Sequence, residues 1–187
     1  MLRIANIDEI KGLLLHVPVL AREQERGTDD FPKNVAAWLV KLEAALTANR
    51  LHHAGVVAGL RSAAIAAKSG SIPMGLQIQG TPTRRRLAGL VASHVMQRAC
   101  EVVTVIITEN GPRLAEAERV ANQIVAAARS RGLLSSRDAG VDNTSYLKSL
   151  RQTLAGAPDI ETALVHLEGL VGAQDTLALL DRALVVS

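Results

Sequence analysis

Apolar residues recur every three or four positions along most of the chain, which is the spacing of one face of an α-helix. The first clear stretch contains Val35, Trp38, Leu39, Leu42, Ala45 and Leu46. The second contains Leu114, Ala117, Val120, Ala121, Ile124, Val125 and Ala128. Outside the loops, no stretch alternates apolar and polar residues convincingly as a half-buried strand does. The pattern therefore predicts an all-α protein.

Capping residues and prolines set the predicted bounds of the first two helices. Asn6 is the predicted cap of the first helix, which runs to about Arg26 with a kink at Pro18, where the missing N–H interrupts helical hydrogen bonding. A loop follows. The second helix begins with Asp30 as its cap and Pro32 in its first turn, the position that tolerates proline.

The centre of the chain is rich in small residues and then in glycine and proline. Residues 51–68 contain many Ala and Gly and predict a helix that another helix could approach closely. Three Gly and two Pro predict a loop over residues 69–82, with residues 74–79 extended within it. A long helix over residues 83–108 follows, and Gly and Pro at residues 109–112 predict a restart of the chain.

The C-terminal part is predicted to contain one loop and three short helices. The helix of the second apolar stretch ends at residues 131–132, and residues 135–143 form a loop. Helices over residues 144–154, 158–171 and 173–185 then close the chain.

These elements predict a helical bundle of six to eight helices with a Gly/Pro loop around residues 69–82. We treat residues 1–187 as a single helical domain, with a subdivision near residues 132–143 as the alternative. The residues expected in the core are Val35, Trp38, Leu42, Leu46, Leu114, Val120, Ile124, Leu164 and Leu167.

Composition narrows the class of protein further. The chain has 187 residues, of which 48% are hydrophobic, but one Trp, one Tyr and one Phe, so its core must be aliphatic. A single cysteine, Cys100, cannot form an internal disulfide. The most apolar stretch, residues 87–107, contains His94, Arg98 and Glu101, which argues against a membrane span. We therefore expect a cytoplasmic protein that does not enter a membrane.

The net charge of +3 conceals an uneven distribution along the chain. Residues 32–98, which we call the basic segment, contain nine basic side chains and one acidic side chain, Glu43. Residues 138–187 contain three basic and seven acidic side chains. Like charges concentrated in one segment indicate either an anionic partner or internal pairing with the acidic C-terminal third.

The start of the helix near residue 83 combines several features of an anion site. Three arginines, Arg84, Arg85 and Arg86, occupy its first turn, where cations oppose the helix dipole. A bound anion would make that placement favourable, because free N–H groups, the hydroxyls of Thr81 and Thr83 and the guanidinium groups could all bind it. The alternative is that acidic residues of the protein pair with these arginines, or that the helix begins earlier.

Catalytic and metal-binding patterns are missing from the sequence. No histidine has an acidic residue three positions before it, no two histidines lie four apart on a helix, and the lone cysteine excludes cysteine-based zinc sites. Phosphate-binding glycine motifs and the GxSxG nucleophile motif are also absent. The sequence therefore predicts no catalytic residues, no metal and no cofactor.

One weak resemblance to a known family involves two adjacent histidines. His52 and His53 are followed by small residues and resemble the phosphoacceptor helix of histidine phosphotransfer bundles. That family has a Lys shortly after its histidine, whereas Ala54, Gly55 and Val56 stand here. The resemblance implies a phosphoryl-transfer role as an alternative function, against a structural role for the pair.

The favoured interpretation is a non-catalytic binding or adaptor protein. Its partner is expected to be another protein or a second copy of the chain, with a nucleic-acid backbone as the candidate that best explains the basic segment. The alternatives are the phosphotransfer bundle and an enzyme whose active site the sequence does not reveal.

Overall fold

The computed structural model describes residues 2–73, 75–78, 80–134, 140 and 142–186. These residues form eight α-helices and one turn of 3₁₀ helix and contain no strand, which confirms the predicted all-α bundle. The helices are α1 (Ile4–Leu14), α2 (Val17–Glu25), α3 (Phe31–Ala48), α4 (His53–Ala66) with the 3₁₀ turn Ala67–Ser69, α5 (Arg84–Ser130), α6 (Asn143–Ala155), α7 (Pro158–Val171) and α8 (Ala173–Val186).

The N-terminal helix differs from the prediction at both ends. It begins at Ile4, so Asn6 lies inside α1 and the predicted cap is wrong. Ile4, Ile7 and Ile10 are all buried. Because residues three apart share one face of a helix, the buried face of α1 already begins at Ile4. The chain also breaks into two helices instead of kinking, because the Pro18 ring would clash with the carbonyl of residue 14, where α1 ends.

The middle of the chain contains the largest departure from the predicted bounds. The predicted restart at residues 109–112 is wrong, because α5 continues through Pro112 without interruption. A proline inside a helix costs about 3 kcal/mol. Ile106 before this proline and Leu114 after it are both buried.

The loops agree with the prediction where they are described. Residues 70–73, 75–78 and 80–83 form neither helix nor strand, in agreement with the Gly/Pro loop. The predicted extended stretch begins and ends at Met74 and Gln79, which lie outside the described residues. Most of the loop predicted over residues 135–143 lies outside them as well.

The chain divides into two compact units between Glu109 and Asn110. This division lies at the predicted restart and away from residues 132–143, where the sequence placed a subdivision. The first unit contains Ile4–Glu109 and the second contains Asn110–Ser187 with Arg3.

Each unit has its own apolar core. In the first unit, α3 packs along α4 and against α1 and α2, and its core includes Val35, Trp38, Leu42 and Leu46. In the second unit, α6, α7 and α8 pack on one another. All nine residues predicted to be buried are buried, so the helical faces read from the spacing are confirmed.

One described helix, α5, is long and apolar enough to cross a membrane by length and composition alone. The core helix of a soluble protein satisfies the same test. The cytoplasmic location therefore stays a prediction.

Candidate functional site

The start of α5 lines a cleft of about 380 Å³ in the first unit. One wall comes from the end of α2, the connection to α3 and the start of α3, and the other from the first three turns of α5. Its lining residues are Gln24, Gly27, Thr28, Asp29, Phe31, Pro32, Thr83, Arg85, Arg86, Gly89, Leu90 and Ser93. The cleft thus brings together two segments that are distant in sequence.

A helix C-terminal turn shapes the first wall. Gly27 adopts φ +64°, and its N–H donates to the Gln24 carbonyl at 3.0 Å while the Thr28 N–H donates to the Glu23 carbonyl at 3.1 Å. This is the Schellman pattern, which needs a left-handed residue that glycine supplies without strain. The turn ends α2 and leads the chain directly into Asp29 and then α3.

The second wall begins at a capped helix terminus. The Arg86 N–H donates to Thr83 Oγ1 at 3.3 Å, and the Leu87 N–H donates to the Thr83 carbonyl at 2.8 Å. Thr83 is therefore the cap, and α5 begins at Arg84, as predicted. The alternative of an earlier helix start is wrong, so the three arginines do occupy the first turn, which contains no acidic residue.

One of these arginines is paired across the cleft. The Arg85 guanidinium contacts the Asp29 carboxylate in an ion pair whose two side chains are both more than two-thirds exposed. Exposed pairs of this kind contribute at most about 1 kcal/mol. Arg84 and Arg86 form no ion pair with any residue that the structure describes.

The structure thus unites only part of the predicted anion site. Thr83, Arg85 and Arg86 line the cleft, whereas Thr81 and Arg84 are exposed and do not. No sequence signal predicts a role for Asp29 or for the apolar residues of the cleft. Residues 28–32 contain the predicted loop before α3, but no local pattern in them indicates proximity to Arg85.

The basic segment keeps most of its charge unpaired. Three of its nine basic residues form ion pairs: Arg61 with Glu43 at 2.6 Å, Arg85 with Asp29, and Arg98 with Glu101 at 2.6 Å. The six that form none within the described residues are Lys33, Lys41, Arg50, Lys68, Arg84 and Arg86.

The acidic C-terminal third has partners of its own. Asp159 contacts Arg131 at 2.5 Å and Glu168 contacts Arg151 at 2.5 Å, both within the second unit. The three ion-paired cations of the basic segment form their pairs with Glu43, Asp29 and Glu101, which lie in the first unit.

The two adjacent histidines lie at the start of α4. Their ring centroids are 3.8 Å apart with the planes tilted by 35°. His52 is exposed, and Nδ1 of His53 is buried with no hydrogen-bond partner among the residues that the structure describes. No lysine follows them on α4, so the phosphotransfer function stays an alternative without further support.

Other reactive groups do not form a second site in the described part of the chain. No cluster of three or more His, Cys, Asp or Glu side chains there could hold a metal ion. Burial, with a smaller contribution from the charge of Glu101, raises the pKa of the Cys100 thiol. The thiol is therefore protonated at neutral pH and is a poor nucleophile.

No family model, curated protein or solved structure matches this chain. The function is therefore argued from the cleft and the basic segment.

Proposed function

We propose that this chain is a non-catalytic binding protein that engages an anionic partner through its basic segment, with the start of α5 at the centre of recognition. The observation that carries this proposal is that Arg84 and Arg86, on the first turn of α5, form no ion pair within the described part of the chain. Both cations oppose the helix dipole when nothing is bound. An anionic partner makes the same placement favourable.

A nucleic-acid backbone is one partner with this chemistry. Phosphate contacts by Arg and Lys hold a protein on a nucleic acid without reading its sequence. Single-strand recognition usually needs exposed aromatic rings. Phe31 and Trp38 are buried and Tyr146, in the second unit, is partly buried, so backbone contact is the mode that fits this protein.

The test is the salt dependence of binding to a short duplex DNA of mixed sequence. We expect the triple variant Arg84→Ala/Arg85→Ala/Arg86→Ala to bind more weakly and to flatten the slope of log K against log salt by about 0.9 for each phosphate that it no longer neutralises. Stability should change little, since the three side chains are exposed. An unchanged slope contradicts the nucleic-acid version of the proposal.

A control variant outside the basic segment separates local binding from loss of net charge. Arg119 and Arg131 are exposed residues of the second unit. The variant Arg119→Ala/Arg131→Ala should retain the wild-type slope. A flattening as large as that of the triple variant would show that total charge, and not the start of α5, determines binding.

A partner protein or a second copy of the chain is the other candidate, and the outer face of α4 favours it. Gly55 and Gly59 lie on the side of α4 opposite the buried Val57, and an added Cβ at either glycine would meet no atom within 4 Å. Val56 and Ile65 are about half exposed and lie on the two flanks of this glycine face. Glycine within a helix costs about 1 kcal/mol relative to alanine, and no packing inside the chain requires it at these two positions.

Light scattering coupled to gel filtration tests this candidate on the wild type and Gly59→Leu. A bulky side chain on a face that packs closely against another helix should abolish association. A monomeric wild type would contradict association through this face. In that case Gly59→Ala should raise the free energy of unfolding, because alanine favours a helix more than glycine does.

A further inference from the structure

The cleft differs from an open basic surface in its shape. Its volume of about 380 Å³ falls in the range of about 300–1,000 Å³ that is typical of small-molecule sites. Its walls come from two segments of the first unit, so a ligand inside it would be contacted on two sides. A duplex backbone, in contrast, is bound along an open surface.

The polar lining of the cleft favours an anionic head group. Arg86 lines it without an ion-pair partner among the described residues, and Arg85 also lines it. The Asp29 contact involves one terminal nitrogen of Arg85, and a guanidinium has five N–H donors, so donors remain for a second acceptor. The two arginines outweigh the single carboxylate of Asp29.

The lining also contains neutral polar residues (Gln24, Thr28, Thr83 and Ser93) and an apolar group. In the apolar group, Leu90 is 39% exposed, Pro32 on the opposite wall is half-buried, and Phe31 beside Pro32 is 3% exposed. Inorganic phosphate would leave the exposed parts of Leu90 and Pro32 in contact with water. A ligand with an apolar part would cover them and gain about 25 cal/mol per Å² buried.

We infer that the cleft binds a small organic anion, in which a phosphate or carboxylate head contacts Arg85 and Arg86 and an apolar body of about the size of one ring lies between Phe31, Pro32 and Leu90. This inference rests on the proposed anion binding and names its ligand class. Asp29 competes with the head group for Arg85 and so lowers the affinity.

Titration calorimetry with phenyl phosphate and with inorganic phosphate tests the inference on the full chain. We expect phenyl phosphate to bind at least about tenfold more tightly than inorganic phosphate, because burial of a ring adds to the ionic contact. Benzoate in place of phenyl phosphate shows which head group is preferred. Equal affinity for phenyl phosphate and inorganic phosphate would overturn the inference.

Two arginines of the same turn form a matched pair of variants. Arg86→Ala should weaken phenyl phosphate binding about tenfold, the usual effect of removing a charged hydrogen bond. Arg84→Ala removes the same charge from a side chain that belongs to the proposed polyanion surface but lies outside the cleft, so it should weaken phenyl phosphate binding clearly less than Arg86→Ala does. Equal losses in the two variants would show that the anion binds the outer surface, which also overturns the inference.

Two further variants test the competing carboxylate and the apolar wall. Asp29→Asn should tighten binding, and Leu90→Asn should weaken phenyl phosphate while leaving inorganic phosphate unchanged. Fluorescence of Trp38, the only tryptophan, confirms for each variant that the first unit remains folded. A variant that fails this check is replaced by Leu90→Ala or Asp29→Ser.

The same variants distinguish failure of this inference from failure of the proposed function. If DNA binding weakens equally in Arg84→Ala and Arg86→Ala while phenyl phosphate does not bind, the basic segment binds polyanions and the small-ligand inference is wrong. If neither DNA nor phenyl phosphate binds, both are wrong.

Discussion

The indole N–H of Trp38 donates a hydrogen bond of 2.9 Å to the backbone carbonyl oxygen of Leu13. This carbonyl lies in the last turn of α1, where helical partners are missing. It also accepts the His16 N–H at 3.3 Å. Trp38 thus contributes to the core and also satisfies the end of a neighbouring helix.

We therefore expect Trp38→Phe to lower the free energy of unfolding by about 1–3 kcal/mol, because the hydrogen bond is removed and the ring is smaller. Urea unfolding followed by circular dichroism measures this. Val40→Ala on the same helix is the control, because Val40 is half exposed and its truncation should cost less than about 0.5 kcal/mol. Equal losses in the two variants would contradict the assigned role.

Arg50 ends α3 in a conformation that favours glycine. Its φ is +53°, and the Leu51 N–H donates to the Leu46 carbonyl at 3.0 Å, in the Schellman pattern. Arg50→Gly should raise the free energy of unfolding by about 1 kcal/mol, because a left-handed residue with a Cβ is strained. Arg50→Ala removes the same charge but keeps the strain, so thermal unfolding should show no comparable gain. A gain of equal size in both variants would assign the effect to charge.

Asp142 caps α6 with its side chain. Its Oδ1 accepts the N–H groups of Thr144 and Ser145, each at 3.0 Å. Asp142→Ala should destabilise the protein by about 0.5–2 kcal/mol in urea unfolding, and Asp142→Asn by much less. Asp30 holds the equivalent position before α3 but makes no side-chain capping bond. Asp30→Ala should therefore cost less than Asp142→Ala, and the reverse order would contradict the described geometry.

The ion pair between Asp159 and Arg131 should make stability depend on pH. The hydrogen bond from Arg131, together with its charge, holds the pKa of the Asp159 carboxyl below its ordinary range. A carboxyl with a lowered folded-state pKa stabilises the fold fully above its ordinary pKa, near 4, and loses this contribution as the pH falls through the lowered value. Asp159→Asn should therefore be less stable than the wild type at neutral pH, and the difference should disappear in acid.

Urea unfolding at pH 7 and at a series of pH values below about 4 follows the loss of this difference as the carboxyl becomes protonated. Glu161→Gln is the control, because Glu161 lies in the same first turn of α7 and forms no ion pair with the described residues. The difference in the free energy of unfolding between the wild type and Glu161→Gln should change less with pH than the difference for Asp159→Asn. A difference between the wild type and Asp159→Asn that persists unchanged at low pH would contradict the assigned ion pair.

Most of the helices and the faces that they bury follow from the sequence alone, but the break between α1 and α2 and the continuity of α5 do not. The spacing of apolar residues around Val35 and Leu42 indicates which side of α3 is buried, because residues three and four apart share a face. Local signals also placed the start of α5 beside Arg84 and the bounds of the last three helices to within one residue. These features depend on neighbours within a few positions, so a single sequence contains them.

Tertiary structure was needed to find where a local preference is overruled and which distant residues meet. Pro112 favours a break in the helix, yet α5 continues through it. The cleft depends on the approach of Asp29 and Phe31 to Arg85 and Leu90, which the packing of the first unit produces. Such contacts follow from how complete helices pack on one another, and no residue pattern along the chain specifies them.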